Sequence, residues 1–431
     1  MFSILNSAMQ NYCRLIIKLI IIAVICWSGT AQAQEQAERT KNQSFSGSVM
    51  DWFKSAKLPD NLQFQGFASQ AFISTSDNDV FGNTDNNGGS FGFTEVGLNA
   101  LYQMLPRMQF SAQVLSRRAG EGNSGSPRLD FGFIDYRLYS HETNQFGVRI
   151  GRLKNPFGFY NDTRDVAFTR PSILLPQSIY FDRTRNFGLS SDSVQFYGES
   201  AHSSLGSVSV QFGIVRPIVD DRDTESALLA GERAGNLTRE VSYIGRGVYE
   251  SNDNRLRLAV SGSWSNIGYN PAASDPFGPG IIQFSPIFLS AQYNTEKWSL
   301  TSEYALRHFK YGNFNNSAFD SLDFYGESYY FQGVYRFTHQ WEAILRYDVL
   351  YTDRSDRSGK RSAAASGNPA HSRFAKDITV GLRFNVTPSF MLRAEYHRVN
   401  GTAWLSTLDN PNSSATSQHW NLFAVQASYR F

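Results

Sequence analysis

The chain has 431 residues, with 40 Lys and Arg against 38 Asp and Glu and a formal net charge of +2. Charges that nearly balance leave no electrostatic footprint for a nucleic-acid partner. Beyond residue 33 no apolar run approaches the roughly 20 residues a spanning helix needs, which excludes a helical membrane protein.

Arg14 and Lys18 precede or interrupt an apolar run from Leu15 to Trp27, and small residues follow to Ala31-Gln32-Ala33. A charged region, an apolar region and an A-x-A site are the parts of a secretory signal peptide, so residues 1–33 are expected to be removed on export. Both cysteines, Cys13 and Cys26, fall inside that segment. The exported chain then has no disulfide and no thiolate metal site, and no cofactor is expected. Residues 34–61 are polar. Ser48 there could cap a short helix carrying Val49, Trp52, Phe53 and Ala56 on one stripe, as a periplasmic tether or a small plug.

From residue 62 to 431 the pattern is alternation. In 373–386, Phe374, Ile378, Val380, Leu382, Phe384 and Val386 share one face. Arg373, Asp377, Thr379, Arg383 and Asn385 share the other. Thr387-Pro388-Ser389 makes a tight turn, and alternation resumes with Phe390, Leu392, Ala394 and Tyr396 against Arg393, Glu395 and His397. Runs of about 10–13 residues exceed the strands of soluble sheets and match tilted membrane strands. Seven short connections alternate with eight long polar ones, near 76–90, 117–128, 155–190, 216–240, 267–281, 311–321, 353–372 and 401–418. Eight hairpins joined by seven turns predict an all-β transmembrane antiparallel barrel of 16 strands in an outer membrane, with its partner the surrounding lipid. Phe and Tyr are abundant, at 34 and 21 residues, which suits aromatic girdles at both interfaces.

The last strand places Phe423, Val425, Ala427, Tyr429 and Phe431 on one face and stops at an aromatic carboxylate. This end, with Tyr429 and Phe431, resembles the signal that hands such proteins to the barrel-assembly machinery.

The third long connection is the unusual one. It carries Pro156, Pro171 and Pro176, and its Phe157, Phe159, Tyr160, Phe168, Ile173, Leu174 and Leu175 need somewhere to pack. The run Ile150-Gly151-Arg152-Leu153-Lys154-Asn155-Pro156-Phe157-Gly158, with Arg170 and Asn186-Phe187-Gly188, resembles the phosphate-selective porin O and P family over about 145–200. The resemblance implies a water-filled trimeric porin for passive diffusion of small hydrophilic solutes. It also implies a third extracellular loop folded into the lumen, and basic lumenal groups that pass phosphate or related small anions.

The residues add candidates of their own. Arg149, Arg152, Lys154, Arg164, Arg170, Arg183 and Arg185 outnumber Asp162, Asp165 and Asp182 around the expected constriction. A low-dielectric throat amplifies such an excess, and guanidinium suits oxyanions. Arg152 and Lys154 lack acidic neighbours in sequence and are read as pore groups. Strict alternation, however, would turn Arg152 toward lipid unless it lies at the rim or Gly151 makes a bulge. Parity also puts Arg307, Arg336, Arg346, Arg383 and Arg393 on one lumenal wall. They form either a basic track for a departing anion or a brace paired with Glu303, Glu342, Asp348, Asp377 and Glu395. No G-x-S-x-G or H-E-x-x-H occurs and no histidine sits in a nucleophile setting, so no enzyme activity is expected. A channel for sugars or another specific solute, with Tyr160, Tyr180 and Phe181 as stacking groups, is the alternative.

Overall fold

A computed structural model of the chain describes residues 59, 61–85, 88–202 and 204–431. The expected signal peptide and the helix expected after Ser48 lie outside the described residues.

Alternating apolar and polar residues form long antiparallel strands. These are β1 (Leu62–Thr75), β2 (Ser90–Leu105), β3 (Met108–Arg118), β4 (Arg128–His141), β5 (Asn144–Lys154), β6 (Ser190–His202), β7 (Gly206–Pro217), β8 (Asn236–Arg239 and Ser242–Glu250) and β9 (Leu256–Asn270). The second half continues with β10 (Gly280–Asn294), β11 (Trp298–Gly312), β12 (Asp323–Arg336), β13 (Trp341–Tyr351), β14 (Phe374–Thr387), β15 (Phe390–Gly401) and β16 (His419–Arg430). The two runs of β8 are one strand. Both pair with β9, with Arg239 opposite Ile267 and Tyr243 opposite Trp264, so three residues face two across a bulge. Each strand pairs with its sequence neighbours, and β1 pairs with β16 from Phe67↔Arg430 to Thr75↔Leu422. The sheet is therefore a closed 16-stranded barrel with no free edge.

Closure ends in a pair of backbone hydrogen bonds between Gly66 and Phe431, each 3.0 Å. The Phe431 ring covers Gly66, where a Cβ would lie 2.3 Å from its Cζ, so a larger residue there would push the terminal ring aside.

Outward positions carry the exposed apolar residues, such as Val208, Val210, Phe212 and Ile214 on β7 and Ile378, Val380 and Leu382 on β14. Near the short turns, Trp298 packs on Tyr335 at 4.5 Å and Trp341 on Phe384 at 4.4 Å, as in an interfacial aromatic girdle. A greasy outer face with no unpaired strand is the architecture of a barrel in the outer membrane.

The eight long loops, L1 to L8 in chain order, leave from one end of the barrel, and several turn inward. Val80 of L1, Ile173 and Leu174 of L3, and Trp404 and Leu405 of L8 join Ile73, Phe93, Trp420 and Leu422 of the wall in one apolar core inside the barrel. The outer half of the lumen on the β1/β16 side is therefore filled by apolar side chains.

Candidate functional site: the lumen and its inward loop

L3 (155–189) leaves the wall at the motif seen in the sequence, and both of its glycines have steric reasons. Gly151 has φ +136°, and a Cβ there would lie 2.3 Å from the Gly132 carbonyl oxygen. Gly158 has φ +56°, and a Cβ would lie 2.5 Å from a Glu303 carboxylate oxygen. Between them Asn155 ties the two ends of the loop, its backbone N–H donating to Leu189 O at 2.9 Å and its side-chain amide to Gly188 O at 3.2 Å.

The loop crosses the lumen and is hooked to the far wall by charged groups. Glu303 of β11 is 1% exposed and accepts from Phe159 N (2.9 Å), Tyr180 Oη (2.7 Å), Tyr330 Oη (2.8 Å) and Ser290 Oγ (2.6 Å). Glu395 of β15 accepts from the backbone N–H groups of Ile173 and Leu174. Arg346 of β13 donates to Ser172 Oγ (2.9 Å) and Leu174 O (3.1 Å). Arg393 donates to Arg170 O (3.0 Å) and Ser172 O (2.7 Å). Arg307 reaches Ser178 O at 3.5 Å and lies over the Phe181 ring. These groups satisfy backbone donors and acceptors that a loop inside a barrel would otherwise bury unpaired.

Three of the five arginines expected as a basic track are thus buried hooks for L3. The other two stand at the short-turn end, where Arg336 and Arg383 share Glu342 at 3.3 and 3.8 Å. The inward parity is right. An open row of arginines is corrected, because L3 lies on the wall where it would run.

The loop's own charges form a second buried set. Lys154 bridges Asp130 of β4, at 2.5 Å, and Asp165. Arg185 joins Asp165 and Asp182. Asp182 also holds Arg117 (2.8 Å) and Arg164 (3.5 Å), and Glu95 holds Arg117 (3.3 Å) and Arg170 (2.5 Å). Five cations meet four carboxylates. Glu95 and Asp130 come from neighbouring strands, so the large excess counted along 149–185 shrinks once the barrel closes. The expectation that Lys154 has no acidic partner is corrected for the same reason.

Arg152 is corrected too. It pairs across the sheet with Gly132, beside the outward Ile150 and Ile134, and bonds Asp192 at 2.8 Å on the outer face. Replacing it with alanine is expected to leave the reversal potential of the protein in a salt gradient unchanged. A shift toward cations would contradict its outward placement.

Arg149 does face inward, bonded to Asp135 at 2.8 Å and stacked on Tyr197 at 4.3 Å. It lines a lumenal cavity of about 430 Å³ toward the short-turn end on the β1–β8 side. Lys154, Arg246, Asp162 and the amides of Gln63, Gln65, Asn99, Gln195 and Gln211 also line it. Arg246 was not singled out from the sequence; it donates to Gly158 O and pairs with Asp162 at 2.7 Å. Parity on β8 would have turned it inward, but only the fold shows that L3 ends beside it. Tyr160 and Tyr180, expected as stacking groups, pack on each other against Glu303 and are buried or nearly so.

At the loop end, L8 rests on L2 and L4. Asp409 accepts from Glu121 N at 2.9 Å, and Ser226 meets Thr407 at 2.7 Å. Burial, with Asp223 and Glu121 nearby, pushes the Asp409 carboxyl up to about 6, above its usual value. Because the docked state favours the protonated form, docking is stabilised as pH falls through about 6 and loses that stabilisation above it. Between pH 7 and 5, the protection factors of the L8 amides, with the intrinsic pH dependence of exchange divided out, are expected to rise, and Asp409→Asn should abolish the rise. Lower protection at pH 5 would reverse the sign and refute it.

With this geometry in place, the likeness to solved structures is clear in fold and remote in sequence. OmpT of Vibrio cholerae superposes with a TM-score of 0.54 at 12% identity, covering 87% of this chain and 99% of that one. OmpF of Salmonella typhi gives 0.53 at 13%, covering 86% and 97%. The outer-membrane channel DcaP of Acinetobacter baumannii gives 0.50 at 11%, covering 86% and 97%. No family model matches the sequence, and no curated protein matches it. The chain therefore has the fold of the outer-membrane porins, and none of these comparisons matches it to the phosphate-selective family expected from the 145–200 segment.

Proposed function

We propose that this barrel is a diffusion channel of the outer membrane that passes small hydrophilic solutes and prefers anions. The observation that carries the reading is the inward L3, which is bolted to the β9–β16 side and leaves the polar 430 Å³ space on the other. Arg149, Lys154 and Arg246 line that space, and each is paired with a carboxylate, but Asp135, Asp130 and Asp165 stand less exposed than the cations they pair with, leaving Asp162 as the exposed acid of the lining. In a low-dielectric wall the charges nearest the opening count most for a passing ion. Phosphate and similar oxyanions are the solutes such donors suit best. One of the similar OmpT structures is described as a trimer form, and three copies are proposed here too. The terminal Tyr429 and Phe431 are proposed as the handle for the assembly machinery.

Reversal potential in a planar bilayer under a potassium chloride gradient tests the reading. Anion preference is expected. Cation preference would remove the selectivity, and absence of any conductance would remove the channel.

A further inference from the structure

A second cavity, of about 160 Å³, lies inside the barrel between L3 and the β10–β13 wall. Its wall is not what a water-filled pore requires. Phe284, Phe309 and Phe324 stand in register on β10, β11 and β12, with ring centroids 4.7 and 5.3 Å apart, and Phe187 of L3 extends the row at 5.3 Å from Phe284. Set into this aromatic lining are Arg183, Arg307 and Arg373.

Unlike Lys154, Arg164, Arg170 and Arg185 of the L3 region, none of these three has a carboxylate within ion-pair distance among the described residues, and, as for several other lumenal arginines, the Nε–H of each has no hydrogen-bond partner. Arg307 is 6% exposed. Asp223, Asp348, Asp353 and Asp356 stand farther off. On β12, Gly326 leaves room for the Arg307 guanidinium, since a Cβ there would lie 3.2 Å from Nη2. Arg183 and Arg373 are half-buried. A guanidinium withdrawn from water without a counter-charge is costly, and three around one cavity call for an anion.

The lining also says which kind. Its only side-chain acceptors are the hydroxyls of Thr184, Thr352 and Tyr311, and the last already donates to Leu228 O at 2.8 Å. A neutral sugar needs acceptors for its own hydroxyl donors and would leave them unmet. Inorganic phosphate would leave the phenyl row unused. A cavity of this size takes up one benzene-sized ring. We infer that this chamber binds a monoanion with a planar apolar body, such as an aromatic carboxylate, with the ring on the phenylalanine row and the carboxylate on the arginine fork. The inference deepens the anion-channel reading by naming the solute class, and its role in permeation rests on that reading.

The test uses intact protein in planar bilayers with benzoate, acetate, inorganic phosphate or maltotriose added, and calorimetry of benzoate binding to the barrel in detergent. Benzoate is expected to block current saturably, at a concentration about tenfold or more below acetate and phosphate. Arg373→Gln and Phe309→Ala should each raise the half-blocking concentration about tenfold. Arg183→Gln, on the loop, serves if a wall variant fails to fold. Chloride conductance with neither block nor binding by benzoate overturns the chamber and leaves the channel standing. Benzoate binding weakened by Arg373→Gln, in a barrel without conductance, keeps the chamber and overturns the channel. Equal block by acetate or phosphate, or block by maltotriose in place of benzoate, also overturns the assignment.

Discussion

Replacing Glu303 with alanine is expected to free L3 from the β11 wall and raise single-channel conductance severalfold. No cation pairs with this carboxylate within ion-pair distance among the described residues; it is held by four donors, Phe159 N, Tyr180 Oη, Tyr330 Oη and Ser290 Oγ. Its removal leaves those donors buried, and each one left unmet costs about 1–3 kcal/mol. The cheapest escape is for the 157–160 segment, which lies on Glu303 through Gly158, to lift away and admit water. Glu303→Gln keeps one acceptor, and the tyrosine hydroxyls can turn to accept from its amide, so it should be milder on both counts. Conductance of both variants in bilayers, with thermal unfolding in detergent, checks this. An alanine variant with native conductance would show that Glu303 is not the latch.

The second large effect is expected at Lys154. Lys154→Met leaves Asp130 and Asp165 without their shared cation in a place where Asp130 is 2% and Asp165 1% exposed. Asp165 keeps Arg185, whereas Asp130 keeps only the Gln113 amide at 2.6 Å. Breaking a buried pair from one side costs about 3–5 kcal/mol, because the remaining charge stays desolvated. A lower midpoint of thermal unfolding is therefore expected, with a shift of selectivity toward cations, since a positive group at the lumen is lost. Adding Asp130→Asn should recover much of the stability, and the double-mutant cycle measures the coupling. If Lys154→Met unfolds as the native protein does, the bridge contributes nothing.

Both residues show what could be read from the chain. Lys154 was visible as a charge at the start of the unusual loop, and its role was misjudged because Asp130 is 24 positions away and meets it only across the β4–β5 ladder. Glu303 was visible as an inward carboxylate of β11. That it receives a loop from 144 positions earlier could not be read, since L3 covers a wall chosen by the closed barrel. The same holds for Arg346 and Arg393. Parity put them inside correctly, but parity says nothing about whether a side chain meets water or a backbone carbonyl. Arg152 is the converse: alternation already pointed it outward, and its position in a charged motif argued the other way.

The sequence by itself determined the barrel. Side chains alternate with period 2, so which residues face lipid and which face the lumen follows from the string of letters, and turn residues set where strands reverse. Strand number and loop order were legible for that reason, whereas the inward course of L3 was implied by a family resemblance and by apolar loop residues that need somewhere to pack. The tertiary structure alone decided what the lumenal charges do. Closing the sheet brings distant strands within hydrogen-bond range and removes water between them, and at those distances a few ångströms separate a paired cation from a free one. Hence seven cations that looked alike along 149–185 became an outward rim arginine, a set of buried braces, a lumen-facing pair and one unpaired guanidinium. That last one, Arg183, sits in the aromatic chamber with Arg307 and Arg373.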